Sequence, residues 1–279
     1  MQNLNKLFNI NKKPIFSIVI LTRNGLSFTK ICIESILKNT KLEYELIFID
    51  NGSNDGTSQY LKTIGNSKLI INKENKGFAA GCNQGLKKVN GKYIVLLNND
   101  TIVSKEWLIK MKEWLEKDPS IGIVGPRSNM VLPEQSIGPQ YYQVKNQSEI
   151  EKFAEEWAEK WAHTGYKVQR LSGFCMVFRK ELIEKIGGFD TRFFPGNSED
   201  TDFCIRTRIA GKKLWVANDV FIHHFGNRTF KLHDENYERL LVENQKKLLT
   251  KWNFNSLNEI EQLIKRESPF NHFKHYIPL

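Results

Sequence analysis

Five short apolar runs in the first 126 residues end in polar or glycine-containing turns, and most give way to a segment with helical apolar spacing. Residues 15–21, IFSIVIL, lead into Thr22-Arg23-Asn24-Gly25, after which Phe28, Ile31, Cys32 and Ile36 mark one helix face. LIFID (46–50) runs into a second polar loop. LIIN (69–72) precedes a small-residue helix through Ala79, Ala80, Asn83 and Leu86. YIVLLNND (93–100) precedes a helix that Ser104 is placed to cap, carrying Trp107, Met111, Trp114 and Leu115. IGIVGP (121–126) is the fifth run. Strands alternating with helices predict an α/β chain with a largely parallel, doubly wound sheet. Such sheets bind ligands beyond the carboxyl ends of their strands. The loops at Thr22, Asp50 and 98–100 should therefore converge on one crevice.

The second half is less regular. Residues 127–147 show no periodicity. Ser148 with Glu151 three positions on reads as a capping box, followed by Phe153, Trp157 and Trp161 at i, i+4 and i+8, a stripe suited to a core or to a cover over the cleft. Residues 169–179 read as a strand, 180–186 as a short helix stopped by Gly187-Gly188, and 200–210 as another helix. A final helix spans 234–252, with Tyr237, Leu240, Leu241, Leu248, Leu249 and Trp252 on one face. No internal repeat is present.

A chain of 279 residues is ample for a buried core. No apolar run approaches the roughly 18–20 residues that span a bilayer, and the N-terminus lacks a signal-like apolar segment and cleavage site. Cys32, Cys82, Cys175 and Cys204 form no CxxC pair and read as reduced, buried thiols. Together these features point to the cytoplasm. The net charge of +10 is compatible with a phosphorylated substrate, an anionic membrane surface or nucleic acid, but the lysines are scattered and no basic block forms.

Four constellations could carry chemistry. Asp50 ends a buried run and opens DNGSNDGT; it could accept a hydrogen bond from a nucleotide base, or simply organise its turn. Asn98-Asn99-Asp100 follows four apolar residues, and Asp100 could hold Mg²⁺ or Mn²⁺, hard cations that prefer oxygen. Glu199-Asp200-Thr201-Asp202 could supply a general base, or its carboxylates could merely complement a helix dipole. His223-His224 is either the in/out pair of a strand or a contribution to a metal site with Asp100.

In order and context, these segments resemble family 2 glycosyltransferases of the GT-A fold, particularly bacterial rhamnosyltransferase-like members. The resemblance runs from about residue 16 to 229 through FSIVILTRNG, LIFIDNGSNDGT, NKENKGFAAGCNQGL, YIVLLNNDT, LSGFCMVFRKELIEKIGGFDTRFF, EDTDFCIRTRIAG and HHFGNRT. It implies a Rossmann-like, mostly parallel sheet with helices on both faces and a C-terminal helical tail. It also implies roles. Thr22 and Asp50 would contact ribose and base, and Asn75, Gly77 and Asn83 would shape the nucleotide side. Asn98, Asn99 and Asp100 would stand at the family's D-x-D motif, with Asp100 and His224 (or His223) at the metal and diphosphate. Asp200 would be the catalytic base with Glu199 beside it, and Gly173 would line the acceptor side. Position 98 departs from the pattern: many members carry Asp there, and an amide coordinates without charge.

The implied activity is inverting transfer of a hexose-type sugar from a nucleotide-diphosphate sugar onto a hydroxyl of a glycan or lipid-linked glycan, assisted by Mn²⁺ or Mg²⁺, in the making of cell-surface polysaccharide. The implied organisation is an N-terminal tail (1–14), a glycosyltransferase domain (15–230) with a nucleotide-binding half (15–126) and an acceptor-binding half (127–230), and a helical extension (231–279). Peripheral contact with the inner membrane face would fit the basic surface. Three rivals fare worse. A sugar-nucleotide pyrophosphorylase would need a longer Gly- and Arg-containing phosphate loop than 22–25; a non-catalytic carbohydrate binder would lack carboxylates at 100 and 200; and a nucleic-acid binder would show a basic cluster.

Overall fold

The computed structural model describes residues 14–138, 141, 146–226 and 237–279. Strands β1 (Phe16–Thr22), β2 (Tyr44–Asn51), β3 (Ser67–Asn72) and β4 (Tyr93–Asn98) are mutually parallel. The sheet continues through β6 (Ile121–Arg127), β7 (Gly165–Val168), β8 (Cys175–Arg179) and β9 (Lys213–Phe221) in the order β3-β2-β1-β4-β8-β6-β9-β7. β8 runs antiparallel to both β4 and β6, and β7 antiparallel to β9. A separate two-stranded ladder joins β5 (Thr101–Ile102) to β10 (His223–His224).

The two-residue period of the strands sorts side chains into two cores. Phe16, Ile18, Ile20, Val95 and Leu97 face helices α1 (Leu26–Asn39) and α4 (Trp107–Lys117), meeting Cys32, Ile33, Ile36, Trp107 and Met111. Val19, Ile47, Ile49, Ile94 and Leu96 face the other way, onto Ala79, Cys82 and Leu86 of α3 (Phe78–Leu86), together with Leu182 and Ile183 of α6 (Lys180–Ile186) and Phe203 of α7 (Glu199–Ile209). The short helix α2 (Thr57–Leu61) follows β2. Helix α3 lies close on the sheet because its contact face is glycine: a Cβ at Gly85 would stand 2.4 Å from Val19 and 2.7 Å from Ile49. All four cysteines are free and buried, as expected.

Several sequence expectations move. The helix placed from Ser104 starts at Trp107, after Glu106 in the left-handed region (φ 61°), with no side-chain cap. Helix α5 (Gln147–Lys160) is capped by Asn146, whose side chain accepts from the Glu149 N–H, so the cap lies two residues before Ser148. Its aromatic stripe does form a cluster, where Trp157 packs with Phe153, Trp161, Tyr141 and Phe221. Only 175–179 of the strand foreseen at 169–179 is a strand, and β7 was not foreseen. The last long helix is Tyr237–Trp252; positions 234–236 lie outside the described residues. It buries Leu248 and Trp252 against Phe193, Ile205 and Ile209, joined by Leu263 of a further helix, Ile260–Glu267.

Candidate active site

Going outward from β1, the chain first lays β2 and β3 on one side, then returns to lay β4 on the other. That reversal opens a crevice at the carboxyl ends of β1 and β4. Thr22 and Asn98 end these strands, and Thr22 pairs in register with Asp50.

On the nucleotide side, Asp50 is fully buried. One carboxylate oxygen accepts the Ser53 N–H at 3.1 Å, and the other accepts the Ser58 hydroxyl. The turn-organising alternative is thus what this side chain does here. Thr22 donates to the Ile49 carbonyl at 3.3 Å. Asn51 ties the next turns together: its amide donates to Asn75 Oδ1 at 2.9 Å and to the Gly77 carbonyl at 3.2 Å. Gly77 has φ 80° and no room for a Cβ, which would meet the Phe194 ring at 2.8 Å. Asn83 is turned to the backbone of Phe189. Its amide donates to the Phe189 carbonyl and accepts the Phe189 N–H, both at 2.8 Å, which makes it a clamp on the Gly187–Phe189 stretch.

The D-x-D-like corner is assembled by the β5–β10 ladder, which sets His224 opposite Thr101. His224 Nε2 lies 3.2 Å from Asp100 Oδ1 and 3.5 Å from the Asn98 amide nitrogen. Its other ring nitrogen lies 2.8 Å from the Met130 carbonyl. A carbonyl only accepts, so Nδ1 carries a hydrogen, and in the tautomer with its one hydrogen there the Nε2 lone pair faces the Asp100 carboxylate. Two acceptors at that distance need a proton or a cation between them, and a histidine oriented by a carbonyl is a familiar metal-ligand arrangement. The residues therefore fit a divalent cation. No cluster of three His, Cys, Asp or Glu side chains exists among the described residues, so water and phosphate oxygens would complete the shell, as Mg²⁺ commonly accepts. Asn99 is not part of this corner: its amide turns into α1 and donates to Thr29 Oγ1 at 2.9 Å. His223 points away, 2.7 Å from the Tyr141 hydroxyl, and burial pushes its pKa down to about 4.

On the acceptor side, α7 opens with Glu199-Asp200 after Asn197 and Ser198, two consecutive non-glycine residues with φ of 75° and 79°. Asp200 is half-buried; it accepts the Gly173 N–H at 2.9 Å and the Thr201 N–H at 2.6 Å. Burial raises its pKa, and these N–H bonds and Arg170 oppose the rise. Glu199 is buried with Oε2 unpartnered; burial first, then the neighbouring charges of Asp200 and Asp202, hold its pKa well above the usual range. Gly173 sits against Asp200, since a Cβ there would stand 3.2 Å from the Asp200 Cβ. The next residue, Phe174, stacks on His224 with centroids 5.0 Å apart. One dipeptide thus links Asp200 to the His224–Asp100 corner.

Sequence reasoning missed two supports. Asn129 bonds both the N–H and the carbonyl of His224, at 2.9 and 3.0 Å, and an isolated amide gives no signal for this. Asp202 pairs with Arg206 at 2.8 Å, both wholly buried, and Arg206 also donates to the Ile186 and Gly188 carbonyls. Their i, i+4 spacing was the readable clue.

Residues 17–187 match the family model for glycosyl transferase family 2. An uncharacterized glycosyltransferase of Haemophilus influenzae is 31% identical over 46% of this chain and 42% of its own length. Glycosyltransferase AglE of Haloferax volcanii is 23% identical over 76% of this chain and 67% of its own. A poly-beta-1,6-N-acetyl-D-glucosamine synthase of Staphylococcus aureus is 29% identical over 66% of this chain and 46% of its own. The chain thus spans less than half the length of two of these relatives. Among solved structures, a mannosyltransferase from Pyrobaculum calidifontis, in complex with GDP-Man and Mn²⁺, aligns at TM-score 0.62 and 17% identity over 92% of this chain and 70% of its own. GalNAc-T7 with UDP, GalNAc and Mn²⁺ aligns at 0.61 and 15% over 94% and 56%. These likenesses establish the GT-A fold. With the family model covering well over half of the sequence, the chain belongs to glycosyl transferase family 2.

Proposed function

We propose that the chain transfers a sugar, of the hexose type, from a nucleotide diphosphate to a hydroxyl of a glycan or lipid-linked glycan, with inversion, during cell-surface polysaccharide assembly. The observation that carries this is the Gly173-Phe174 dipeptide, which holds the Asp200 carboxylate by an N–H and stacks on the histidine beside Asp100. Asp200 takes the proton of the acceptor hydroxyl as that oxygen bonds to the anomeric carbon. The bond from that carbon to the diphosphate oxygen breaks, and its electron pair leaves with the diphosphate. Asp100 and His224 would hold a divalent cation, with Asn98 beside them, and the cation supplies positive charge to the leaving group. Burial raises the Asp200 pKa, which makes the carboxylate a stronger base than an exposed one. Glu199, buried deeper, is less suited to meet an acceptor.

The test starts with a calorimetric panel of nucleoside diphosphates and nucleotide sugars, dTDP-rhamnose included, with and without Mn²⁺. Asp200→Asn should keep donor affinity and lose about 10²–10⁴-fold in kcat, the range for a missing general base. Asp100→Ala should lose the part of the affinity that Mn²⁺ adds. The anomeric configuration of the product, read by NMR, should be opposite to the donor's. A retained configuration, or near-normal turnover in Asp200→Asn, would defeat the mechanism.

A further inference from the structure

Residues 193–198, between the short helical turn Thr191–Phe193 and the start of α7 at Glu199, run as an irregular loop. Phe193 is buried, Phe194 is 53% exposed, and residues 197 and 198 hold left-handed backbone that non-glycine residues adopt at a cost. The loop nonetheless has a fixed seat. Its Pro195 carbonyl accepts the Phe78 N–H at 2.8 Å, and the Phe194 ring lies against Gly77. It therefore bridges the donor-side turn and the catalytic helix.

What holds this seat comes from the far end of the chain. Asn244, on the helix Tyr237–Trp252, is 1% exposed. Its amide nitrogen donates to three carbonyls of the loop: Phe193 at 2.9 Å, Phe194 at 3.3 Å and Gly196 at 2.7 Å. Lys247, one turn later, donates to Asn244 Oδ1 at 2.8 Å and to the Arg192 carbonyl at 3.1 Å. The lysine thereby fixes which way the amide faces. Along the same helix, Lys251 pairs with Asp190 and Asp202, and Trp252 donates to Asp202 at 2.9 Å. The helix grips the catalytic segment on both sides of Asp200.

We propose that Asn244 is a positioning residue for the transfer reaction, holding the strained 193–198 loop so that Asp200 is aimed at the acceptor hydroxyl. The role requires a donor at that point, since three carbonyls converge there and only a hydrogen-bond donor can satisfy them. An isosteric carboxylate would face them with a negative charge. The inference rests on the sugar-transfer function proposed above.

The experiment compares the full-length wild type with Asn244→Ala, Asn244→Asp and Lys247→Met, measuring the thermal midpoint, the calorimetric donor affinity, and kcat with both substrates saturating. The expected result is a kcat lowered about 10–100-fold in both Asn244 variants. Donor affinity should stay within about threefold, because Asp100 and His224 stand on other elements. Asn244→Asp should do no better than Asn244→Ala despite its preserved volume. Lys247→Met should lower kcat about 3–10-fold and is the arm that decides if the Asn244 variants do not fold. A purely structural role would lower the thermal midpoint while leaving kcat of the folded protein within twofold of wild type, and that result overturns the inference. A wild type that binds donor but transfers nothing fails the functional proposal instead, before any variant is made.

Discussion

Glu199 and Asp200 are adjacent in sequence but unlike in setting. Asp200 keeps both oxygens in hydrogen bonds and remains half open, whereas Glu199 is buried with one oxygen unmatched. Burial lifts the Glu199 pKa above its unfolded value, so between those two values the folded chain binds more protons than the unfolded one. Stability from this group is complete below the unfolded pKa and is lost as pH rises through the folded one. Glu199→Gln removes the titration, so its stability should pull ahead of wild type as pH climbs above the ordinary glutamate value. The gap should grow by about 1.4 kcal/mol for each pH unit inside that window. A gap independent of pH would show that the carboxyl does not titrate on unfolding. The carboxylates at 100, 199 and 200 were legible because chemistry restricts residue type at strand and helix ends. The duties of Asn83 and Asn99 were not, because an amide serves a ligand or a backbone equally well and only the fold decides. Both are spent inside the protein, on Phe189 and Thr29.

Strands β1, β2, β4 and β6 were legible because each is a continuous apolar run, the mark of a strand buried on both faces, whereas β3 was legible from LIIN although it lies partly exposed at the sheet edge. Strand β7 was hidden because GYKV is half exposed and pairs only at the sheet edge with β9. The β5–β10 ladder is two residues long on each side and unites positions about 120 apart, a span no local pattern can encode. Helix α3 was legible as a small-residue helix, and the structure shows what the small residues permit. Gly85 meets Val19 and Ile49 with no space for a methyl group. Gly85→Ala should therefore destabilise the fold by about 1–3 kcal/mol through overpacking, although alanine is the better helix former. A urea midpoint equal to or above that of wild type would mean that α3 can shift outward at no cost.

The whole chain carries a net charge of +10, and among the described residues no helix is long and apolar enough to cross a membrane. If the acceptor is lipid-linked, attachment to the inner membrane face would be electrostatic. Binding to vesicles containing anionic lipid should be strong at low salt and lost near 1 M, where the Debye length falls to about 3 Å. Absence of binding at low salt would favour an acceptor free in solution. β4, in the nucleotide-binding half read from the sequence, is hydrogen-bonded to β8 in the acceptor-binding half, and β8 in turn to β6, so one eight-stranded sheet runs through both. A floor laid without a seam cannot fold along one. Under the proposed function, whatever closes around a donor would be carried by loops at the rim of that sheet.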